Sequence, residues 1–307
     1  MKTIVCIGEL LIDFFCTEVD VNLIDGAYFE KQAGGAPANV CAAIAKLGGR
    51  AKFCGKVGND SFGHFLERTL QQTGVDTTML VKGKEPTTMA FVSRIAGGER
   101  DFIFNRGADE TLTTGDIEWS HLNAEIAHFG SATALLSSPF YETYMEVMHV
   151  LKKRGAFISF DPNYRADLWK DNKRVYDGRV AACVQLADFV KMNEEEFALF
   201  GQDVPKGKWF AVTKGRVGTW ISNGEQSALI PSIPVQSIDS TGAGDAFVGA
   251  MLKQFADYPS LNKLTFNDFQ QLTRFSNIVG ALTCTAIGAM TALPTMEDVL
   301  LYMNTEK

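Results

Sequence analysis

Short apolar runs alternate with longer segments of helical period along most of the chain. The run Thr3–Ile7 is β-branched and apolar, the pattern of a strand buried on both faces. Residues 38–47 carry a helical repeat that Gly48-Gly49 would end. A second strand is expected over 52–57. Asp60 is placed to cap a helix whose apolar face carries Phe62, Phe65, Leu66 and Leu70, and Gly74 would stop it. After a change of texture the alternation resumes. Strands are expected over Ile126–Phe129, Phe157–Phe160, 189–192, 210–213 and Thr219–Ser222. Helices are expected over 139–153, 175–186, 245–255, 268–286 and 295–303. This order predicts an α/β fold with a mainly parallel central sheet and helices on both faces.

Two segments break the rhythm. Residues 14–29 are short, mixed and without helical period. Residues 88–95 and 100–104 read as two strands around Gly97-Gly98, a hairpin signal. Together they predict a small β lid outside the main sheet, built from about residues 14–33 and 87–106. No internal repeat and no Pro/Gly/Ser-rich linker divides the chain, so one domain over 1–307 is expected.

Composition narrows the function. At 46% apolar residues, a chain of 307 residues can bury a sizeable core. A net charge of −7 argues against a nucleic-acid surface, because neutralising phosphates needs concentrated Lys and Arg. The six cysteines include no CxxC pair and several lie in apolar runs, as expected for buried free thiols of a reducing compartment. No leader pattern precedes the first strand and no apolar run is long enough to span a membrane, so a cytoplasmic location is expected. His64, His121, His128 and His149 show no zinc spacing, and His128 is expected in the core or a site wall.

The chemistry concentrates in Asp239-Ser-Thr-Gly-Ala-Gly-Asp245, between a strand-like stretch and an amphipathic helix. Gly242 and Gly244 allow a tight turn and a close approach to a ligand. The amides at a helix start are unpaired and carry partial positive charge, which suits an anion such as a phosphoryl group. Asp245 falls in the first turn, where it either caps the dipole or does chemistry. The chain has no GxxxxGK[ST] element, which excludes a P-loop kinase. It also lacks the dinucleotide fingerprint in its first βα turn.

The segment DSTGAGDAF closely resembles the C-terminal signature of the ribokinase-like (PfkB) carbohydrate kinases. Gly34-Gly35-Ala36-Pro37-Ala38-Asn39 resembles the N-terminal signature of the same family, and the likeness runs from GELLID to residues 288–295. The resemblance implies a ribokinase-like fold and transfer of a phosphoryl group from ATP to a sugar, with Mg²⁺. Asp245 would be the general base, and the amides of Gly242, Ala243 and Gly244 the anion hole. The sugar would meet Asp13, Gly34, Gly35, Asn39, Arg106 and Arg165. Lys191 would contact nucleotide phosphate, and Asn193 with Glu196 would place Mg²⁺ through water. Thr213, Gly215, Gly218 and Asn277 would border the nucleotide. A K⁺ site would use Asp239, Thr241, Ala286 and Gly288, although Ala292 stands where the family often has a hydroxyl.

Three further stretches, FGSA at 129–132, DPNYRADLW and RGAD, look most like bacterial fructokinases. That likeness implies phosphorylation of D-fructose at its 6-hydroxyl. 2-Keto-3-deoxygluconate kinases share the N-Y-R and L-W elements, and ribose and aminoimidazole riboside kinases are related alternatives. A non-catalytic sensor on this fold would be expected to have lost Asp245, which this chain keeps. The lid would close over the sugar, and two lids could pair into a homodimer.

Overall fold

The computed structural model describes residues 2–94, 100–169, 172–201 and 203–305. In chain order its strands are β1 (Thr3–Ile7), β2 (Leu11–Cys16), β3 (Phe29–Gly34), β4 (Arg50–Gly58), β5 (Asp76–Gly83), β6 (Met89–Arg94), β7 (Arg100–Asn105), β8 (Ile126–Phe129), β9 (Phe157–Phe160), β10 (Phe189–Asn193), β11 (Trp209–Thr213), β12 (Thr219–Ser222) and β13 (Ser227–Ile230). The α-helices are α1 (Ala36–Lys46), α2 (Ser61–Gln72), α3 (Phe140–Lys153), α4 (Ala166–Trp169), α5 (Lys173–Leu186), α6 (Glu194–Phe200), α7 (Ala243–Asp257), α8 (Phe266–Thr283) and α9 (Met296–Thr305).

A nine-stranded sheet runs in the order β13-β12-β11-β10-β9-β8-β1-β4-β5. Its pairs are parallel except at the β11–β12–β13 edge. Parallel strands are covered on both faces, so alternate residues enter different cores. Ile4 and Cys6 of β1 join a core with α1, α7 and α8. Val5 and Ile7 join the opposite core with α3 and α5. Buried aromatic side chains such as Phe129, Phe160, Phe189 and Phe255 fill both, each stabilising the fold by about 1.5–3 kcal/mol through burial.

A four-stranded sheet, β3-β2-β6-β7, stands apart from the first. Its β2–β6 pair is parallel and its outer pairs are antiparallel. The expected two-segment β unit is therefore present, with the second segment starting at Met89. The turn at Gly97-Gly98 lies outside the described residues. β2 and β3 bracket the stretch read as mixed: polar residues such as Glu30 and Lys31 are exposed on β3, so no apolar run marks it. β5 and β13 were likewise invisible as apolar runs, because both carry exposed positions at sheet edges.

Helix starts differ by small amounts from the expected ones. α1 begins at Ala36 with proline in its first turn, and α7 begins at Ala243 behind Gly242. α8 is capped by Thr265 and ends at Thr283, short of the expected 286. Asp60 caps α2 through Gly63 N, as its position suggested.

α1 and α7 pack closely because Gly249 has no side chain: a β-carbon there would lie 2.5 Å from Cβ of Ala43 and 3.0 Å from the Val40 carbonyl oxygen. Gly249→Val should push the helices apart and cost about 1–3 kcal/mol by overpacking, read by urea unfolding. Unchanged stability would mean that the contact yields without strain.

Candidate active site

A cavity of about 440 Å³ opens beyond the carboxyl ends of the parallel strands. β1 is flanked by β8 and β4, so the chain winds away from it in two directions, and ligand crevices of open α/β sheets form at such points. Glu9 follows β1, Ala132 follows β8, Asn163 follows β9, and Asn193 ends β10; all four line the cavity. The small sheet covers it with Leu11, Asp13, Phe15, Val92 and Phe102. The first turns of α1 and α7 close it with Gly35, Ala36, Asn39, Gly242, Gly244 and Asp245.

Gly242 caps α7 with φ 77°, a left-handed conformation that favours glycine. Ala243 N already donates to Ser240 O at 3.3 Å, which leaves the next amides, of the cavity-lining Gly244 and Asp245, without a backbone acceptor among the described residues. Asp245 accepts a 2.8 Å hydrogen bond on Oδ2 from Asn39 Nδ2. The other amide atom of Asn39, Oδ1, is buried and has no partner, which leaves an acceptor for a ligand hydroxyl. Burial pushes the Asp245 carboxyl up to about 6, against the Asn39 bond and the Lys191 ammonium, which favour the ionised form.

Lys191 reaches the same place from β10. Its Nζ donates to Asp161 Oδ2 at 2.9 Å, and both groups are buried, at 8% and 4% exposure. A β-carbon on Gly244 would sit 3.2 Å from that Nζ, so the cation lies against the opening turn of α7. Burial alone would lower the Lys191 ammonium, but the Asp161 and Glu196 carboxylates override it and hold the group above its ordinary value. A fixed cation beside a helix N-terminus is a fit environment for phosphate oxygens.

Asp13 projects from β2 into the cavity. Burial raises its carboxyl to about 7; Arg165 acts the other way, and the Glu9 and Asp245 carboxylates add to the rise. Any side chain on Gly34 would collide with the Asp13 carboxylate, which explains glycine at the end of β3. Arg165 is exposed at the mouth and lines the cavity from the loop after β9.

Asn193 and Glu196 also line the cavity, and they form the capping box of α6. Asn193 N donates to Glu196 Oε2 at 2.7 Å, and Tyr164 N to Oε1 at 2.7 Å. Each carboxylate oxygen keeps a lone pair, enough for a water-mediated metal contact. Among the described residues no group of three or more His, Cys, Asp or Glu side chains could hold a metal directly. Asp239 ties two loops together, accepting from Thr241 N at 3.1 Å and from Gly288 N at 3.1 Å. Ala286 lies exposed beside this junction, and Ala292 is buried.

Some expected residues do not reach the cavity. Arg106 is not among the lining residues: it donates to Asp109 Oδ2 at 3.0 Å and Ser137 Oγ at 3.1 Å, and its buried Nε has no partner among the described residues. Asn277 spends its amide on Thr219 Oγ1 and on the carbonyls of Ile230 and Pro231, which pins α8 to the β12–β13 edge. Thr213, Gly215 and Gly218 sit one strand beyond the cavity, where Lys214 N bonds Gly218 O at 2.8 Å. Conversely, Glu9, Asp161 and Asn163 belong to the site but were not singled out in the sequence. Their available signal was a polar residue just past an apolar strand.

Residues 1–296 match the model of the pfkB family of carbohydrate kinases. The chain is 37% identical to fructokinase-1 of Oryza sativa subsp. japonica over 319 residues, covering 99% of this chain and 98% of that one. An uncharacterized sugar kinase from Pyrococcus horikoshii in complex with ATP superposes with a TM-score of 0.89 at 36% identity, covering 99% of each chain. A double mutant of the fructokinase from Vibrio cholerae O395, bound to fructose, ADP and potassium ion, gives a TM-score of 0.84 at 30% identity over 98% of each chain.

The raised carboxyl of Asp13 has a consequence for stability. Its folded value, about 7, lies above the ordinary 3.8, so the folded state binds this proton more tightly and stability falls as pH rises through that interval. Asp13→Asn should therefore melt above the wild type at about pH 8 without ligands, with the gap closing near pH 4. A variant less stable than the wild type at the higher pH would mean that the carboxylate supports the fold.

Proposed function

The chain belongs to the pfkB family of carbohydrate kinases, and from that premise we propose that it transfers the γ-phosphoryl group of ATP to the 6-hydroxyl of D-fructose, yielding fructose 6-phosphate and ADP. The observation that carries this reading is the meeting of Asp245, Asn39, Lys191 and Asp13 in one cavity at the start of α7. The named activities of the similar chains support fructose as the acceptor. A second reading has one observation in its favour: Arg165 lines the cavity and could meet the carboxylate of 2-keto-3-deoxygluconate.

ATP supplies the phosphoryl group, and the residues supply position and charge. Asp245 takes the proton from the attacking hydroxyl, with its Oδ2 fixed by Asn39. The amides of Gly242 and Gly244, with Lys191 beside them, face the charge that builds on the transferred group, while Ala243, bonded to Ser240 O, fixes the turn between them. Asp13, Asn39 and the backbone at Gly34 and Gly35 hold sugar hydroxyls. Asn193 and Glu196 would hold Mg²⁺, which would neutralise charge on the phosphate oxygens. Asp239, Thr241, Ala286 and Gly288 would take K⁺, in keeping with the potassium ion of the Vibrio cholerae enzyme. Thr213, Gly215 and Gly218 border the nucleotide, and Asn277 supports that edge from behind.

The small sheet acts as a lid over the sugar, and its closure keeps water from the phosphoryl group. Val19, Ile24, Tyr28 and Ile103 are exposed apolar side chains of the lid segments, at 84%, 89%, 71% and 49%. They support pairing of two lids in a homodimer with twofold symmetry. A monomer mass in light scattering at working concentration would refute that pairing. Six free cysteines fit a cytoplasmic location.

A coupled ADP-release assay with Mg·ATP should show turnover with fructose well above 2-keto-3-deoxygluconate, ribose, aminoimidazole riboside and a no-sugar control. Preference for 2-keto-3-deoxygluconate would keep the mechanism and replace the substrate. Asp245→Asn should lower kcat by about 10²–10⁴ with ATP binding retained. Since Asp245 and Asp13 must both be ionised, kcat/KM for the sugar should fall below about pH 7 and more steeply below about pH 6. A profile flat to about pH 5 would remove both from the reaction.

A further inference from the structure

We propose that Asp109, which has no contact with the cavity, is a positioning residue that sets the small sheet over the sugar subsite by tying together the crossings between the two sheets. The inference rests on the lid reading above. The chain passes between the sheets four times: into β2 after Glu9, out of β3 at Gly35, into β6 after Thr88, and out of β7 at Arg106 and Gly107.

Asp109 is 1% exposed and follows the last of these crossings. Its Oδ1 accepts from Thr88 Oγ1, on the residue that leads into β6. Thr88 Oγ1 in turn accepts from Gly107 N at 2.9 Å, on the way out of β7. Asp109 Oδ2 accepts from Arg106 Nη2 at 3.0 Å and from Thr133 Oγ1 at 2.8 Å. Thr133 Oγ1 also lies 3.4 Å from Glu9 Oε2, and the Glu9 carboxylate is held by Ser131 Oγ and by Ala132 N at 3.2 Å. Gly35 sits so close to the Glu9 carbonyl that a β-carbon there would collide with it.

One buried carboxylate thus joins the β6 and β7 crossings directly, and the β2 and β3 crossings through the loop at 131–133: Thr133 gives its hydroxyl proton to Asp109 and its N–H to Ser131 Oγ, which donates to Glu9. A buried anion with three donors holds its neighbours in one geometry, because each donor left without an acceptor would be costly. Asp13 lies on β2, just past Glu9. A tilt of β2 is therefore felt at the Asp13 carboxylate that meets the sugar, while Lys191 and the start of α7 belong to the main-sheet part of the protein. This arrangement also gives Arg106 a role outside the cavity lining: it pairs with the Asp109 carboxylate.

The test is Asp109→Asn, which keeps the shape but puts a donor where an acceptor stood. The KM for fructose should rise about tenfold, the KM for ATP should stay within about twofold, and melting should remain cooperative. Sugar-independent ATP hydrolysis should grow relative to sugar phosphorylation, as a badly seated lid admits water. Hydrogen exchange without any substrate should speed up in β2 and β6 and stay unchanged in β1, β9 and β10. That last readout stands even if the wild type proves to use another sugar, a result that would count against the proposed substrate alone. Should Asp109→Asn fail to fold, Thr133→Val cuts the link between Asp109 and the loop that holds Glu9 and should give the same KM split, with Thr133→Ser restoring normal values. An unchanged sugar KM in a folded variant, or activity lost only in proportion to folded protein, would overturn the proposal.

Discussion

The hydrogen bond from Asn39 Nδ2 to Asp245 Oδ2 joins residues 206 positions apart and is the contact on which the candidate site depends. It exists because α1 and α7 lie against each other in the same core, and that packing requires glycine at 249. The bond orients the carboxylate and favours its charged form where burial disfavours it. Lys191, bonded to Asp161 and lying against the opening turn of α7, also favours that charged form from β10. The site is thus a balance between desolvation and a few placed partners.

That balance explains the unusual carboxylates. Asp13 and Asp245 are both held above their ordinary range, chiefly because burial disfavours their ionised forms. Glu9, raised mainly by burial, belongs to the same acidic cluster but is satisfied by Ser131 and Ala132 and serves the framework. Burying polar groups that await partners is how such a site discriminates between ligands.

The main sheet was legible because strands buried on both faces read as apolar runs: Thr3–Ile7, Ile126–Phe129 and Phe157–Phe160 sit where expected. The edge strands β5 and β13 were not legible, since their exposed positions dilute the apolar signal. Asp245 and its glycines stood out because a helix start with that composition has few other uses. Asp161 did not, although it sits in a stretch noted for Arg165. Its importance comes from register, which sets it beside Lys191 on the neighbouring strand, and register is not written in local sequence. Arg106 shows the converse. Its surroundings suggested a ligand contact, yet a carboxylate only three residues on, Asp109, claims its guanidinium.

The most direct measurement is phosphorus NMR of the enzyme with Mg·ATP and D-fructose. The account predicts that the γ-phosphate signal of ATP disappears as one phosphomonoester signal, that of fructose 6-phosphate, grows in equal amount. Release of inorganic phosphate alone, or an unchanged ATP spectrum, would contradict it.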